Sequence, residues 1–416
     1  MKRGDTVMSK NIKTVKLRCY PTDEQMDMLP IMFGHNRFIY NYMLNLQQFC
    51  YKHHKNSKTL PKHLSRFDMN KIVTRLKRKK RYSWLKQCES TSLQESCNNL
   101  DKAYERFFNK LGGFPRFKKL SYRQSYTSLC VNHNIKQLQN VVIKLPKLGY
   151  MKVQPYKIKG TIKSMTLVKT KRNQFFVNVV IQRGFKELPK TKKAIGIDLG
   201  LRNIANLSNG VKYQSLHFKA LDRQIKLQQI KLSRRIINAK QQCIVDKHYK
   251  EKFNLPYYEG EQAFRNLKWF ERRGVVEARQ RLAKLHEKKV NKRNDYLQKL
   301  STKLVKQYDV IVFEKLSSSN MMKNHHLARV IGEQGWRMFV TMCQYKANWY
   351  GKRVELVSPR NTTQTCANCG YVMKYNEKLT LSVEHWQCPH CHVKHDRDTN
   401  AAQNILKLGL TALNND

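Results

Sequence analysis

The spacing of apolar and polar positions changes along the chain, and each change marks an element. Through Ile12, Val15, Leu17 and Cys19 apolar residues alternate with polar ones, and the run stops at Pro21, which predicts a strand. From Asp23 to about Lys110 the spacing turns helical: Met28, Leu29, Ile31 and Phe33, then Phe38, Ile39, Tyr42, Met43 and Leu46, then Leu93, Cys97, Leu100, Tyr104 and Phe108. That order predicts a small helical domain inserted after the first strand. Paired glycines and a proline in GGFPRFKK (Gly112 to Lys119) end the helical stretch. Alternation then resumes up to Arg183, with turn signals at Pro146, Gly149, Gly160 and around Lys171 to Asn173. Several antiparallel strands, closing a barrel with strand one, are expected there.

ELPKTKK (Glu187 to Lys193) reads as a polar linker into a second half of different pattern. A β-like run (Ala194, Ile195, Ile197, Leu199) leads to a predicted hairpin around Leu201 to Gly210 and a further strand into Tyr213. Leu221 to Gln307 is mostly helical and strongly basic, with Leu282, Leu285, Val290, Leu297, Leu300 and Leu304 as one apolar seam. The basic faces of that region suit either solvent or nucleic acid. Asp246 to Gln262, with Pro256 and Gly260, reads as a surface insertion between helices. A strand (Val310 to Phe313), a helix (Trp336 to Tyr350) and the strand RVELVSP complete the order. It is compatible with a ribonuclease H-like layered fold, in which carboxylates gather at one end of the sheet.

Composition narrows the class. The 416 residues allow two or three domains, and 81 Lys and Arg against 29 Asp and Glu give a formal net charge of +52. So large a charge repels itself unless a polyanion neutralises it, and nucleic acid is the obvious one. Apolar residues at 40% and aromatics at 10% exclude a disordered basic tail. No apolar run reaches the roughly 18 residues of a membrane span, and the N-terminus lacks the apolar core of a signal peptide. A cytoplasmic, nucleoid-associated protein with no membrane partner is expected. Of the eleven cysteines, seven are scattered singly and four fall as two tight pairs, the first pattern suiting buried thiols and the second a metal.

Three acidic residues stand in apolar settings of the second half: Asp198 in AIGIDLG, Glu314 in DVIVFEKL and Asp398 in HDRDTNAAQNI. The first two end predicted strands, and the third precedes a good helix former. Singly they read as a turn residue, a strand-end charge and an N-cap. Together they read as a cluster for divalent Mg²⁺ or Mn²⁺, since oxygen-only donors suit hard cations. Two ions roughly 3.5 to 4 Å apart would serve an in-line displacement at phosphorus, with Asp198 bridging them and Glu314 and Asp398 each holding one. CANC (Cys366, Cys369) and CPHC (Cys388, Cys391), separated by the eighteen residues 370–387, have the spacing of a zinc ribbon. His385, His390, His392 and His395 crowd the second knuckle, so a histidine could replace one thiolate. Because Asp398 follows Cys391 by seven residues, the ribbon would also position the third carboxylate. In FNKLGGFPRFKK and KLSYRQSYTS, Arg116, Lys118, Lys119 and Arg123 could cradle phosphates while Phe114, Phe117 and Tyr122 stack or pack, and Arg360 in SPRNTTQTCANCG is a candidate phosphate contact.

The chain resembles the TnpB family, RNA-guided nucleases encoded by insertion sequences and related to the type V CRISPR effectors. The residues that carry the resemblance are LRCYPTDEQ, NRFIYNYML, STSLQESCNNLDKAYERFF, GFPRFKK, GIDLG, DVIVFEKL, QYKANWYGKRVELVSPRNTTQTCANCG and DRDTNAAQNI, in order across nearly the whole chain. The resemblance implies an α+β multidomain fold: a wedge-type β-barrel (1–22 and 112–188) with an inserted helical recognition domain (23–111), then a ribonuclease H-like RuvC α/β domain (189–362 and 394–416) with an inserted zinc ribbon (363–393). It implies catalysis by Asp198, Glu314 and Asp398 with Mg²⁺ or Mn²⁺, and Zn²⁺ on Cys366, Cys369, Cys388 and Cys391. It also implies a structured guide RNA and a double-stranded target DNA as partners. A short target-adjacent motif would be read near Asn36 to Asn41 and Ser90 to Gln94, making Asn41, Ser90, Thr91 and Gln94 candidate contacts. A monomer on its RNA is expected. Base pairing would then read sequence while the protein supplies charge, a short duplex-reading surface and the metal site. The stretch Gln241 to Gly274 is longer than in compact members. Other functions on such a scaffold are a compact type V CRISPR effector, a guide-directed repressor without cleavage, and a strand-transfer transposase. The intact carboxylates disfavour the repressor, and the ribbon with DRDTNAAQNI disfavours the transposase.

Overall fold

The computed structural model describes residues 12–56, 60–120, 124–253, 268–316, 325–374, 377–380 and 382–414, with the backbone alone given at 244–253 and 325–327. The chain divides into two units, Asn11–Gly184 and Phe185–Asp416.

In the first unit β1 (Ile12–Tyr20) is followed by α1 (Asp23–His53), α2 (Arg66–Arg78) and α3 (Ser90–Phe108). Then come β2 (Gln124–Leu129), β3 (Lys136–Leu138), β4 (Val142–Leu145), β5 (Gly149–Val153), β6 (Thr161–Lys169) and β7 (Phe175–Gln182). The strands form one antiparallel sheet in the order β2-β6-β7-β1-β5-β4-β3. β1 is central to it, with Val15 opposite Val179 and Leu17 opposite Val177, and its alternating Val15, Leu17 and Cys19 are buried as the period of two predicts. Thr22 begins α1 through a capping box with Gln25. Helices and sheet share one continuous core, in which Leu29, Ile39 and Leu100 join Met165, Val177 and Val179.

The second unit runs β8 (Ala194–Asp198), β9 (Asn203–Leu207), β10 (Lys212–Gln214), α4 (Lys219–Phe253), α5 (Arg273–Gln307), β11 (Val310–Glu314), α6 (His325–Gln334), α7 (Trp336–Tyr350), β12 (Arg353–Val357), β13 (His385–Gln387), β14 (Lys394–Asp396) and α8 (Arg397–Asn414). α4 continues through Asp246 to Phe253, where the pattern predicts an insertion, because no helix breaker precedes Pro256. The end of that segment lies outside the described residues. On α5 the predicted seam is buried at Leu297, Leu300 and Leu304, whereas Val290 is exposed. Among the described residues no helix is long and apolar enough to cross a membrane.

Five strands form a mixed sheet in the order β10-β9-β8-β11-β12, with β8, β11 and β12 parallel and β9 and β10 antiparallel to their neighbours. Alternation gives the sheet two faces. Ile195, Ile197, Ile311 and Phe313 pack on one side with Leu300 and Leu304 of α5 and Phe339 of α7. On the other side Val312 and Val357 meet Ile405 of α8. The contact with α8 is close. A Cβ at Gly196 would lie 2.1 Å from the Ala402 carbonyl oxygen, and one at Gly409 would lie 2.4 Å from a Val312 methyl, so glycine at both places lets helix and sheet touch backbone to side chain or backbone to backbone.

Candidate metal centres

The carboxylates follow from that contact by counting. Asp198 lies two residues beyond Gly196 on the same face of β8, and Glu314 two beyond Val312 on the same face of β11. Two strand residues advance about 6.6 Å, and four helical residues about 6 Å. Asp398, four residues before Ala402, is thereby brought from the first turn of α8 to the strand ends. Asn206 on β9, opposite Asp198 in register, places its Nδ2 3.4 Å from Asp198 Oδ2 and 3.3 Å from Asp398 Oδ2. The remaining carboxylate, Glu314, accepts a 2.8 Å hydrogen bond from the Thr362 hydroxyl.

Desolvation, and then the charges of Asp398 and Glu314, push the Asp198 carboxyl up to about 7, against the pull of the Asn206 amide and of Arg397. Burial likewise raises Glu314, and the Thr362 hydroxyl opposes it. A buried carboxyl raised by its own desolvation and by two neighbouring acids stands in a setting that favours positive charge. The donors are all oxygen, so the residues present fit a hard divalent cation. Arg397 supplies part of the compensation, with Nε and Nη2 3.3 and 3.2 Å from Asp398 Oδ1. The capping role open to Asp398 belongs instead to Asp396, whose Oδ1 accepts from the backbone N–H of Thr399 at 2.9 Å while Oδ2 pairs with Lys212. Asp398 is left with its oxygens directed to Asn206 and Arg397.

Among the described residues, Cys366, Cys369, Cys388 and Cys391 form the one cluster whose donor atoms all lie within 4.8 Å of one another, and they could hold a tetrahedral zinc ion. The CPHC knuckle sits in the turn between β13 and β14, and β14 runs directly into α8. The backbone N–H of Val393, with the Asn368 amide, holds the Cys391 thiol down, whereas burial pushes the Cys366 thiol up. Of the crowding histidines, His395 approaches the cluster, its Nε2 3.1 Å from Cys366 Sγ.

Two centres so different are tied together by α8. Asn400 accepts from the Ala367 N–H at 2.8 Å and donates to the Thr365 carbonyl at 2.8 Å, and Asn404 donates to the carbonyls of Thr362 and Thr365 at 2.9 and 2.6 Å. The loop carrying Thr362 towards Glu314 and Cys366 towards the thiols is thus clamped by two asparagines one helical turn apart. Asn206, Thr362, Arg397, Asn400 and Asn404 are not singled out by the sequence. Asn206 has a signal all the same: it is polar inside NIANL, where Ile204, Ala205 and Leu207 are all buried.

The candidate nucleic-acid residues scatter. Gln94, Arg116, Lys119 and Arg360 are exposed. Asn41 braces the chain at Lys118, donating to its carbonyl at 2.9 Å and accepting from its N–H at 2.7 Å. The Lys118 ammonium stands 3.9 Å from the centre of the Tyr40 ring, and burial pushes its pKa down to about 8. The Thr91 hydroxyl donates to Glu89 at 2.8 Å, and Ser90, exposed, accepts from Lys77 at 2.8 Å. Phe114 packs edge-on against Tyr104 and Phe107. Arg123 and Tyr122 lie outside the described residues.

Comparison with known proteins agrees with this architecture. A model described as a Cas12f1-like TNB domain matches residues 336–405, the OrfB_IS605 model, described as a probable transposase, matches 167–325, and a helix-turn-helix domain model of the same OrfB group matches 8–56. A protein of Streptomyces pristinaespiralis, named as a candidate RNA-guided DNA endonuclease, is 28% identical over 411 residues, covering 98% of this chain and 91% of its own. InsQ of Escherichia coli K12, named in the same way, is 26% identical over 423 residues, covering 97% and 94%. A TnpB-like protein of Acanthamoeba polyphaga mimivirus is 33% identical over 135 residues, 31% of this chain and 25% of that one. A solved complex of Cas12f1 with sgRNA and target DNA superposes with a TM-score of 0.51 at 12% identity, over 95% of this chain and 99% of that one, a likeness of fold. Matched by family models in three stretches and by relatives from end to end, the chain is similar to the TnpB family.

Proposed function

We propose that the chain is an RNA-guided DNA endonuclease and that Asp198, Glu314 and Asp398 form its cutting site. The observation that carries this reading is the convergence of three carboxylates from β8, β11 and α8 on one face of the sheet, where burial and the two neighbouring acids raise the Asp198 pKa. Asp198, central among the three, would touch both of two divalent ions, Mg²⁺ or Mn²⁺, and Glu314 and Asp398 would each hold one. The chemistry such ions supply when bound is activation of a water and stabilisation of the leaving 3′ oxygen in phosphodiester hydrolysis. Thr362 and Arg397 keep Glu314 and Asp398 turned inward for that purpose.

In this reading the mixed five-stranded sheet is a ribonuclease H-like RuvC domain, and the four-thiol module is a zinc ribbon that presents target nucleic acid. The seven-stranded sheet is a wedge barrel, and α1 to α3 form the recognition domain. Guide RNA neutralises most of the +52 charge. Arg116, Lys119, Gln94 and Arg360, all exposed, are the contacts offered to nucleic acid, and the protein acts as a monomer on its RNA in the cytoplasm. The names of the full-length relatives support the same activity.

The test is to purify the chain with the RNA it carries from its own locus, sequence that RNA, and incubate the complex with Mg²⁺ and a plasmid holding the matching target beside a randomised flank. Cutting is expected from the wild type and not from Asp198→Ala. No cutting by either would make binding, not cleavage, the function, and equal cutting by both would place the cutting site elsewhere.

A further inference from the structure

We propose that Asn206 is a positioning residue of the cation site, holding the carboxylates of Asp198 and Asp398 in one relative orientation; this rests on the metal-site reading above. Asn206 is 1% exposed and sits directly opposite Asp198 across the β8–β9 pair. Its amide nitrogen lies 3.4 Å from Asp198 Oδ2 and 3.3 Å from Asp398 Oδ2. An amide nitrogen carries two protons, so it can donate one to each carboxylate. A single group therefore spans two acids that the chain separates by 200 positions, from 198 to 398.

The other end of the amide is as informative. Two other buried asparagines use both ends, Asn400 on the Ala367 N–H and the Thr365 carbonyl, and Asn36 on the Met32 carbonyl and the Ser96 hydroxyl. Asn206 Oδ1 is buried with no hydrogen-bond partner, so the amide is engaged only where it meets the two carboxylates. Its neutrality suits the task. Lysine at this position would neutralise the acids and compete with a cation, aspartate would add a further like charge, and leucine would fill the space with no donor. Asn206 takes Oδ2 of Asp398 while Arg397 faces Oδ1, so that carboxylate is fixed from both sides before any cation arrives.

The full-length chain with its bound RNA can be titrated with Mn²⁺, the free ion being followed by electron paramagnetic resonance, and the Asp198→Ala complex reports Mn²⁺ held by RNA alone. Asn206→Leu is expected to weaken protein-bound Mn²⁺ about 10-fold or more, the range for losing a group that orients a ligand. In cleavage it should raise the Mn²⁺ concentration for half-maximal rate more than it lowers the plateau. Asn206→Asp should bind Mn²⁺ more tightly than the leucine variant and move the acidic limb of binding to higher pH. An Asn206→Leu protein that melts and binds Mn²⁺ like the wild type overturns the inference. If the leucine variant does not fold, an Asn206→Asp protein with wild-type affinity and pH profile overturns it instead. Should Asp198→Ala lose nothing relative to the wild type, the metal-site reading falls and this inference with it.

Discussion

Cys366 and Cys369 are held by one tight turn and Cys388 and Cys391 by another, so each half of the thiol cluster is a local product of its own four residues. Asp198, Glu314 and Asp398 come from the ends of two strands and the start of a helix, and they meet because glycines at 196 and 409 let α8 lie directly on the sheet. The thiols converge to within 4.8 Å of one another, whereas the carboxylates stand further apart and repel. A local site depends on its own spacing; an assembled site depends on every packing contact between its elements. The two should therefore fail in different ways.

The largest contrast is expected from removing one ligand at each. Asp198→Ala should lower cleavage of a matched plasmid by more than about 100-fold, beyond the loss of an orienting partner. Its melting temperature should be unchanged or higher, because a desolvated carboxyl beside two other acids is gone; a clear fall in melting temperature would count against burial and repulsion as the main effects at this position. Cys388→Ser, at a fully buried thiol, should lower the melting temperature instead. It should lose zinc by elemental analysis and melt the ribbon, and cleavage should fall because β14 and Asp398 are released with it.

Acidity separates the centres next. The Asp198 pKa is raised from 3.8 to about 7, so the folded, cation-free protein binds the proton more tightly than the unfolded chain. Stability from this group is full below about pH 4 and is lost as pH rises towards 7. Thermal melts in chelator should show that loss, Asp198→Asn should flatten it, and Mg²⁺ should reverse it; no slope between pH 4 and 7 would refute the cause assigned to the shift. A smaller effect tests the packing. Gly196→Ala, with its Cβ 2.1 Å from a backbone oxygen, should destabilise by about 1–3 kcal/mol and lower cleavage while leaving zinc content unchanged. Least of all, Thr362→Val should cost Glu314 one hydrogen bond, about 1 kcal/mol, read as a shift of about 5-fold in the Mg²⁺ needed for half-maximal cutting.

Much of the architecture is legible in the chain alone. Period-two alternation places β1, a short β-like apolar run places β8, and helical spacing finds α7 with its limits at Trp336 and Tyr350. The paired CxxC motifs predict a thiol cluster because both halves of it are short-range. Where the sequence is silent, the missing partner is distant. The continuation of α4 to Phe253 depends only on breakers, yet the place of Asn41 depends on Lys118, 77 positions away. Asp396 and Asp398 are both placed to start the helix; Lys212 on β10 and Asn206 on β9 decide which caps and which is turned to the neighbouring strand.

By itself, the sequence determined a basic protein made for a polyanion, two patterns of element, four thiols at metal spacing, and three acids in apolar company. Charge, period and short spacing are properties of neighbouring residues, so they survive without a fold. The tertiary structure alone decided that those acids share one face, that an amide from a fourth element bridges two of them, and that the ribbon leads into the helix bearing the third. Those are relations between residues that only the packing of α8 on the sheet brings within hydrogen-bonding distance.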